Sequence, residues 1–364
     1  MHRRLVILGS GELAPPMVKT YRRLFEGRDS QRGVFLDSPY GFQENVPQLN
    51  EKIEQYFATS LQWRFTCASL THRNVADQRS RATFQNSLND ASVIFAGPGS
   101  PTYALRQFHE VNLGDTLRTR LADDTLVCFS SAAALTLGSH TAPIYEIYKV
   151  GEEPAWREGL DVLGLFGLQC AVIPHYDNAE GGNHDTRYCY LGATRMRQLE
   201  AQLPSDVSVL GVDEHTAVIL SLDNDDLTVE GRGHAYWRID GVERRLDNGS
   251  TTSLDELRHS LRPATPPMQT ATIETEETNL FDLILGGGDR GAQALEQVLR
   301  RAERGAPGLI DPAPLVEQLL VIRATARANG LYDISDQLRD ALTACGIEIK
   351  DSPAGTTWSL IEGN

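Results

Sequence analysis

An α/β domain built on a mostly parallel sheet is predicted by three stretches in which an apolar run of strand length breaks off abruptly into glycine or serine. They are Arg4 to Leu8 before Gly9-Ser10-Gly11-Glu12, Ala91 to Ala96 before Gly97-Pro98-Gly99-Ser100-Pro101, and Val127-Cys128-Phe129 before Ser130-Ser131-Ala132-Ala133-Ala134-Leu135. A continuous apolar run bounded by turn residues is the pattern of a strand buried on both faces. Strand, turn and helix in series make a parallel sheet with helices on its faces. Ligands of such sheets bind beyond the carboxyl ends of the strands, where these turns lie.

The third corner is the most informative. Small residues let backbone pass close to backbone as the strand turns into a helix, and a serine at such a corner has its hydroxyl lifted into a cleft. The corner holds Ser130 and Ser131, and a serine there also serves as a helix cap. Cys128 lies three residues before Ser131, inside the strand, and is read as a small buried apolar group.

Further along, Gln169 to Pro174 reads as another strand. It delivers a polar, glycine-containing loop, His175-Tyr176-Asp177-Asn178-Ala179-Glu180-Gly181-Gly182-Asn183-His184-Asp185-Thr186-Arg187. That loop is too polar for a core and too dense in titratable groups for a mere connection. From Val207 to Asp240 short strands joined by Asp, Asn and Gly turns are expected to close the edge of the same domain. Residues 262–279, rich in Pro and Thr and acidic, read as a linker between a first unit at 1–261 and a second at 280–364. In the second unit Leu280 to Arg304 reads as helical apart from a break at Gly286-Gly287-Gly288. Pro314 to Asn329 carries Leu315, Leu319, Ile322 and Ala326 at helical spacing, with Gly330 as the stop.

Totals narrow the function. A length of 364 residues calls for more than one folding unit, and a formal charge of −15 repels a phosphate backbone over most of the surface. Nucleic acid is therefore not the default partner. The apolar run at the start is shorter than the roughly 7–15 residues of a signal peptide, and no stretch reaches the ~18 of a membrane span, so a cytoplasmic protein without a membrane partner is expected. Five scattered cysteines without CxxC spacing argue against a disulfide framework or a zinc site. No metal and no cofactor is expected.

A serine hydroxyl is a weak nucleophile until a histidine takes its proton and a carboxylate orients that histidine. Taken together, Gly9-Ser10-Gly11-Glu12, Gly97-Pro98-Gly99, Ser131-Ala132-Ala133-Ala134, Pro174-His175-Tyr176-Asp177, His184-Asp185-Thr186-Arg187 and Gly211-Val212-Asp213-Glu214-His215-Thr216-Ala217 resemble, in order, the motifs of peptidase family S51, which includes dipeptidase E and cyanophycinase. The resemblance covers roughly residues 1 to 245. It implies a three-layer sandwich of the class I glutamine amidotransferase-like type, with Ser131 as nucleophile and His184 as base. It places the orienting acid about fifteen residues past the serine, at Glu146, with Glu180 and Asp185 as competitors. Backbone amides of Gly99 and Ala132 would stabilise the oxyanion. His175, Arg187, Asp213 and Glu214 are expected to contact substrate, Arg187 as a planar fork for a carboxylate. Ala133 stands where the family has glycine and adds a methyl group at a crowded corner.

The tail, from about 312 to 360 and ending in Asp351, Gly355 and Trp358, resembles the C-terminal domain of cysteinyl-tRNA synthetases. Two helices and a hairpin are expected, since Ile347 and Ile349 alternate with polar residues and Pro353-Ala354-Gly355 makes a turn. From 309 to 364 eight acidic side chains stand against four basic ones, the wrong sign for a module making several phosphate contacts. Docking or homodimer formation is the expected role, with Arg323, Arg327 and Arg339 paired to Asp336 and Asp340. The chain as a whole reads as a serine hydrolase that cleaves a peptide or amide bond in a small or exposed, Asp-containing substrate. The alternative is a non-catalytic protein of the same fold whose C-terminal module docks tRNA or a protein.

Overall fold

A computed structural model describes residues 3–259 and, further on, residues 320, 323, 324, 327, 332, 335, 336, 339, 342, 343, 347–352 and 355–360. The chain divides into two compact units, Met1–Thr265 and Pro266–Asn364. The expected linker at 262–279, the helix from 280 to 304 with its glycine break, and the helix stop at Gly330 lie outside the described residues.

In chain order the first unit holds β1 (Arg4–Leu8), α1 (Met17–Phe25), β2 (Gly33–Leu36), α2 (Val46–Tyr56), β3 (Phe65–Ala68), α3 (Gln78–Asp90), β4 (Val93–Ala96), α4 (Pro101–His109), α5 (Leu113–Ala122), β5 (Leu126–Ser130) and α6 (Ser131–Leu135). There follow β6 (His140–Thr141), β7 (Arg157–Glu158), β8 (Cys170–Ile173), α7 (Gly192–Glu200), β9 (Ser208–Val212), β10 (Thr216–Ser221), β11 (Asp226–Gly231), β12 (Ala235–Ile239), β13 (Val242–Leu246), β14 (Thr251–Ser253) and α8 (Leu254–Arg258).

The fold is a mixed α/β sandwich. Eight strands form one sheet in the order β14-β11-β10-β1-β5-β4-β2-β3, in which β1, β5, β4, β2 and β3 are mutually parallel. Alternation along each strand sorts the core to two faces. Leu5, Ile7, Ile94, Val127 and Phe129 pack on one side with Phe84, Phe108 and Leu117 from α3, α4 and α5. On the other side Val6, Leu8, Phe95 and Cys128 meet Tyr21 and Phe25 of α1. Both faces are covered, which is why these strands read as unbroken apolar runs.

The strands after Val207 are divided between two sheets: β10, β11 and β14 extend the first, and β9, β12 and β13 join β8, β6 and β7 in a second, six-stranded sheet of order β13-β12-β9-β8-β6-β7. The chain changes sheets in the three-residue turn Asp213-Glu214-His215, where His215 adopts a left-handed φ of 54°. It crosses back at Gly231, whose φ is 145°. The consequence is that β1, β5, β8 and β9 end close together. Leu8 pairs with Ser130, Ile173 pairs with Gly211, and a Cβ on Gly9 would lie 2.0 Å from the carbonyl oxygen of Asp213.

In the second unit β15 (Ile347–Ser352) and β16 (Gly355–Leu360) form the expected hairpin, with Ile349 opposite Trp358. Of the partners expected for Arg323, Arg327 and Arg339, Asp336 acts on Arg323 through its charge and Asp340 lies outside the described residues. All three arginines converge on Asp351: Arg323 in a bidentate pair at 2.8 Å on each oxygen, Arg327 at 2.9 Å and Arg339 at 3.1 Å. Arg323 is 2% exposed, and a guanidinium so buried needs a carboxylate fixed beside it. This pairing holds the Asp351 carboxyl well below its usual range, first through the Arg323 hydrogen bonds.

Candidate active site

The corner after β5 is built as the small residues suggest. Ser131 has a φ of 52°, a left-handed conformation that costs a non-glycine residue on the order of 1 kcal/mol. It begins α6, and Ala132, Ala133 and Ala134 behind it are buried. The methyl group of Ala133 is part of the apolar core and not of the cleft wall. Ser130 points to the opposite face of the sheet, where its hydroxyl donates to Glu12 Oε2 at 2.9 Å. Cys128 is wholly buried, and burial pushes its thiol up, so it is not a nucleophile.

Ser131 Oγ lies 2.9 Å from His175 Nε2, and His175 Nδ1 lies 2.7 Å from Glu214 Oε1. The carboxylate takes the Nδ1 proton as a hydrogen bond, leaving Nε2 as the acceptor for the serine hydroxyl. Glu214 Oε1 also accepts from Asn178 Nδ2 at 3.2 Å, and the Glu214 amide donates to Asp177 Oδ1 at 2.8 Å. The hydrogen bond from His175 is the main cause that holds the Glu214 carboxyl below its ordinary range. Each member comes from a strand end: Ser131 from β5, His175 two residues past β8, and Glu214 from the turn in which the chain changes sheets.

His175 is fixed by its backbone. Its φ is 47°, and its carbonyl accepts from the Cys189 amide at 3.0 Å. Next to it the Tyr176 amide donates to the Val212 carbonyl at 3.1 Å, and the Tyr188 amide to the Tyr176 carbonyl at 3.0 Å. Loop and sheet are thereby tied at the imidazole.

The histidine and acid expected from the family order are placed elsewhere. His184 is exposed in the glycine loop, its ring stacked against Tyr148 at 6.1 Å between centroids, and it makes no hydrogen bond to Ser131. Glu146 sits in the helical turn Glu146–Val150, and its Oε2 is buried without a hydrogen-bond partner among the described residues. Nor do the competing acids reach the imidazole. Glu180 accepts from the Tyr190 hydroxyl at 2.7 Å. Asp185 accepts both arms of the Arg187 fork at 2.9 Å and the Ala193 amide at 2.9 Å, with its carboxyl held low chiefly by Arg187. The physical reason is reach: His175 follows directly on a buried strand, whereas His184 lies nine residues further along a polar loop. The residues the structure brings together, His175 and Glu214, were both singled out as substrate contacts. The signal that could have assigned them is position at a strand end.

Gly99 has a φ of 148°, and a Cβ there would stand 2.0 Å from the Pro39 carbonyl oxygen, so only glycine fits. Ser100 caps α4, its hydroxyl accepting from the Tyr103 amide at 3.1 Å, with Pro101 in the first turn. The Ala133 amide donates to the Gly97 carbonyl at 3.2 Å, which fastens this turn to the serine corner. The Ala132 amide lies in the first turn of α6, where an N–H has no acceptor within its own helix. Asp213 is buried beside the site, its Oδ2 accepting from the His234 amide at 2.8 Å, and burial pushes its carboxyl up to about 6.

The hydrogen-bonded Ser131, His175 and Glu214 thus lie together at the strand ends of a mixed α/β fold. No protein-family model matches the chain. Among solved structures it is similar to a peptidase from an acI-B1 Actinobacterium, with a TM-score of 0.52 and 20% identity, over 69% of this chain and 96% of that one. Among curated proteins it is similar to cysteine–tRNA ligases. That of Nitratidesulfovibrio vulgaris is 29% identical over 168 residues, 46% of this chain and 32% of the ligase. That of Pseudomonas fluorescens is 45% identical over 60 residues, 16% of this chain and 13% of the ligase. The chain thus spans a third or less of the length of these two curated relatives. Among the described residues no helix is long and apolar enough to cross a membrane.

Proposed function

We propose that the first unit is a serine-type hydrolase of peptide or amide bonds. The observation that carries this reading is the continuous relay from Ser131 through His175 to Glu214, with both hydrogen bonds below 3 Å. Ser131 Oγ attacks the scissile carbonyl carbon while His175 Nε2 takes its proton, and Glu214 stabilises the imidazolium that forms. The amides of Gly99 and Ala132 stabilise the developing oxyanion. His175 then gives its proton to the leaving amine, and a water molecule, activated by the same imidazole, releases the acyl group and restores the serine.

The resemblance to peptidase family S51 supports a small or exposed peptide with an acidic residue at the scissile position, and a cytoplasmic setting. Arg187 would hold that acid only by exchanging its present partner Asp185. The test is amine release from a panel of aspartyl dipeptides. Turnover by the wild type that is abolished in Ser131→Ala supports the reading, and residual turnover equal to that of the wild type contradicts it.

A second reading concerns the second unit. Its likeness to cysteinyl-tRNA synthetases, and the matches of the chain to curated cysteine–tRNA ligases, support docking onto tRNA or a protein surface. A gel shift with tRNA whose affinity falls steeply with salt would support RNA docking.

A further inference from the structure

Beyond the imidazole lies a row of rings. Tyr190 lies 6.4 Å from His175 between centroids, Tyr148 lies 5.3 Å from Tyr190, and His184 stacks on Tyr148 at 6.1 Å. Lys149 rides over the Tyr148 ring at 4.8 Å. Tyr148 and Tyr190 are half-buried, so each keeps part of its surface open.

The backbone goes to some length to place Tyr190 there. Tyr188, Cys189 and Tyr190 have φ values of 60°, 55° and 67°, three consecutive left-handed residues, none of them glycine. L-amino acids adopt that conformation only when their surroundings impose it. The turn is pinned by its amides: Tyr188 donates to the Tyr176 carbonyl, Cys189 to the His175 carbonyl and Tyr190 to the Thr186 carbonyl. Of the three side chains, Cys189 is buried in the core and Tyr188 meets Tyr176 edge-on at 4.7 Å. Only Tyr190 turns toward the imidazole, its hydroxyl tethered to Glu180, and burial together with that carboxylate pushes the phenol up, so it stays a neutral ring. Strain concentrated beside a reacting group marks a segment held for a function other than packing.

We infer that Tyr190 and Tyr148 form a stacking shelf for a planar leaving group, a subsite of the proposed hydrolase that selects substrates by what departs and not by what is acylated. This rests on the assignment of Ser131 and His175 above. The acyl part of a substrate must sit between Ser131 and the amides of Gly99 and Ala132, at the ends of β4 and β5. The departing atom must be within reach of His175 Nε2 to be protonated, and the wall continuous with that imidazole is the Tyr190 and Tyr148 pair. Ring faces favour flat partners such as an arene or a peptide plane, offset or edge-on.

Two phosphonylating reagents that share one phosphonyl group separate the two claims. In each, the Ser131 Oγ–P bond forms and His175 accepts the serine proton. A p-nitrophenyl phosphonate breaks its P–O bond and expels p-nitrophenolate, which is planar, whereas the fluorophosphonate breaks P–F and expels fluoride, which has no face to stack. The rate constants for both reagents are measured on the full chain by mass spectrometry. The ratio of aryl to fluoride rate is expected to fall about tenfold in Tyr190→Ala and Tyr148→Ala and to return in Tyr190→Phe. An unchanged ratio in both alanine variants overturns the shelf. So does equal slowing with both reagents, which would make Tyr190 a support for His175 alone. Absence of labelling of the wild type by either reagent overturns the hydrolase reading itself, and the shelf with it.

Discussion

At the scale of single residues, two donors meet on one oxygen of Glu214, the His175 Nδ1–H and the Asn178 amide. A glutamine at 214 would therefore keep its carbonyl oxygen in place and lose the charge alone. Glu214→Gln is expected to lower kcat about 10²- to 10⁴-fold while leaving the fold intact, measured as turnover of an aspartyl dipeptide beside a thermal melt of the same preparation. Asp213, one residue earlier, behaves in the opposite sense. Its carboxyl is pushed up to about 6 by burial, so the folded protein holds that proton more tightly than the unfolded chain. Its favourable contribution is complete below the unfolded value near 4 and is lost as pH rises to about 6. The stability of Asp213→Asn relative to the wild type should accordingly rise between pH 4 and pH 6.5 in urea titrations. A difference independent of pH would contradict the assignment.

At the scale of elements, the site is an outcome of where strands end. The glycine turns, the serine corner and the strand leading to His175 are legible in the sequence because buried parallel strands leave unbroken apolar runs that stop at small residues. That Glu214 hydrogen-bonds the His175 imidazole was not legible, because its position follows from the chain leaving one sheet for another at Asp213 to His215. No periodicity distinguishes that switch from an ordinary hairpin. The place of His184 was not legible for a related reason: proximity in a loop rich in titratable groups says nothing of which member the sheet holds rigid. The turn after β4 offers a test at this scale. Gly99→Ala introduces a methyl group against the Pro39 carbonyl at a φ reserved for glycine, and should cost about 1–3 kcal/mol of stability. It should also lower kcat more than it raises KM, because the Gly99 amide is assigned to the oxyanion. A change in KM alone would remove that amide from the mechanism.

At the scale of the whole molecule, the chain divides into two compact units. The second is held by an arginine buried against a carboxylate, and removing one partner of such a pair strands the other charge. Asp351→Ala should destabilise the second unit by about 3–5 kcal/mol, read as faster hydrogen exchange of the amides in β15 and β16. The central claim belongs to the first unit: an imidazole at the end of β8, and not the one in the exposed loop, activates Ser131. Labelling by a fluorophosphonate, followed by mass spectrometry of the adduct, tests it directly in His175→Ala and His184→Ala side by side. The structure predicts that the adduct forms on Ser131, that it is lost or slowed at least a thousandfold in His175→Ala, and that His184→Ala labels within about threefold of the wild type. Labelling that survives in His175→Ala and disappears in His184→Ala would contradict the account.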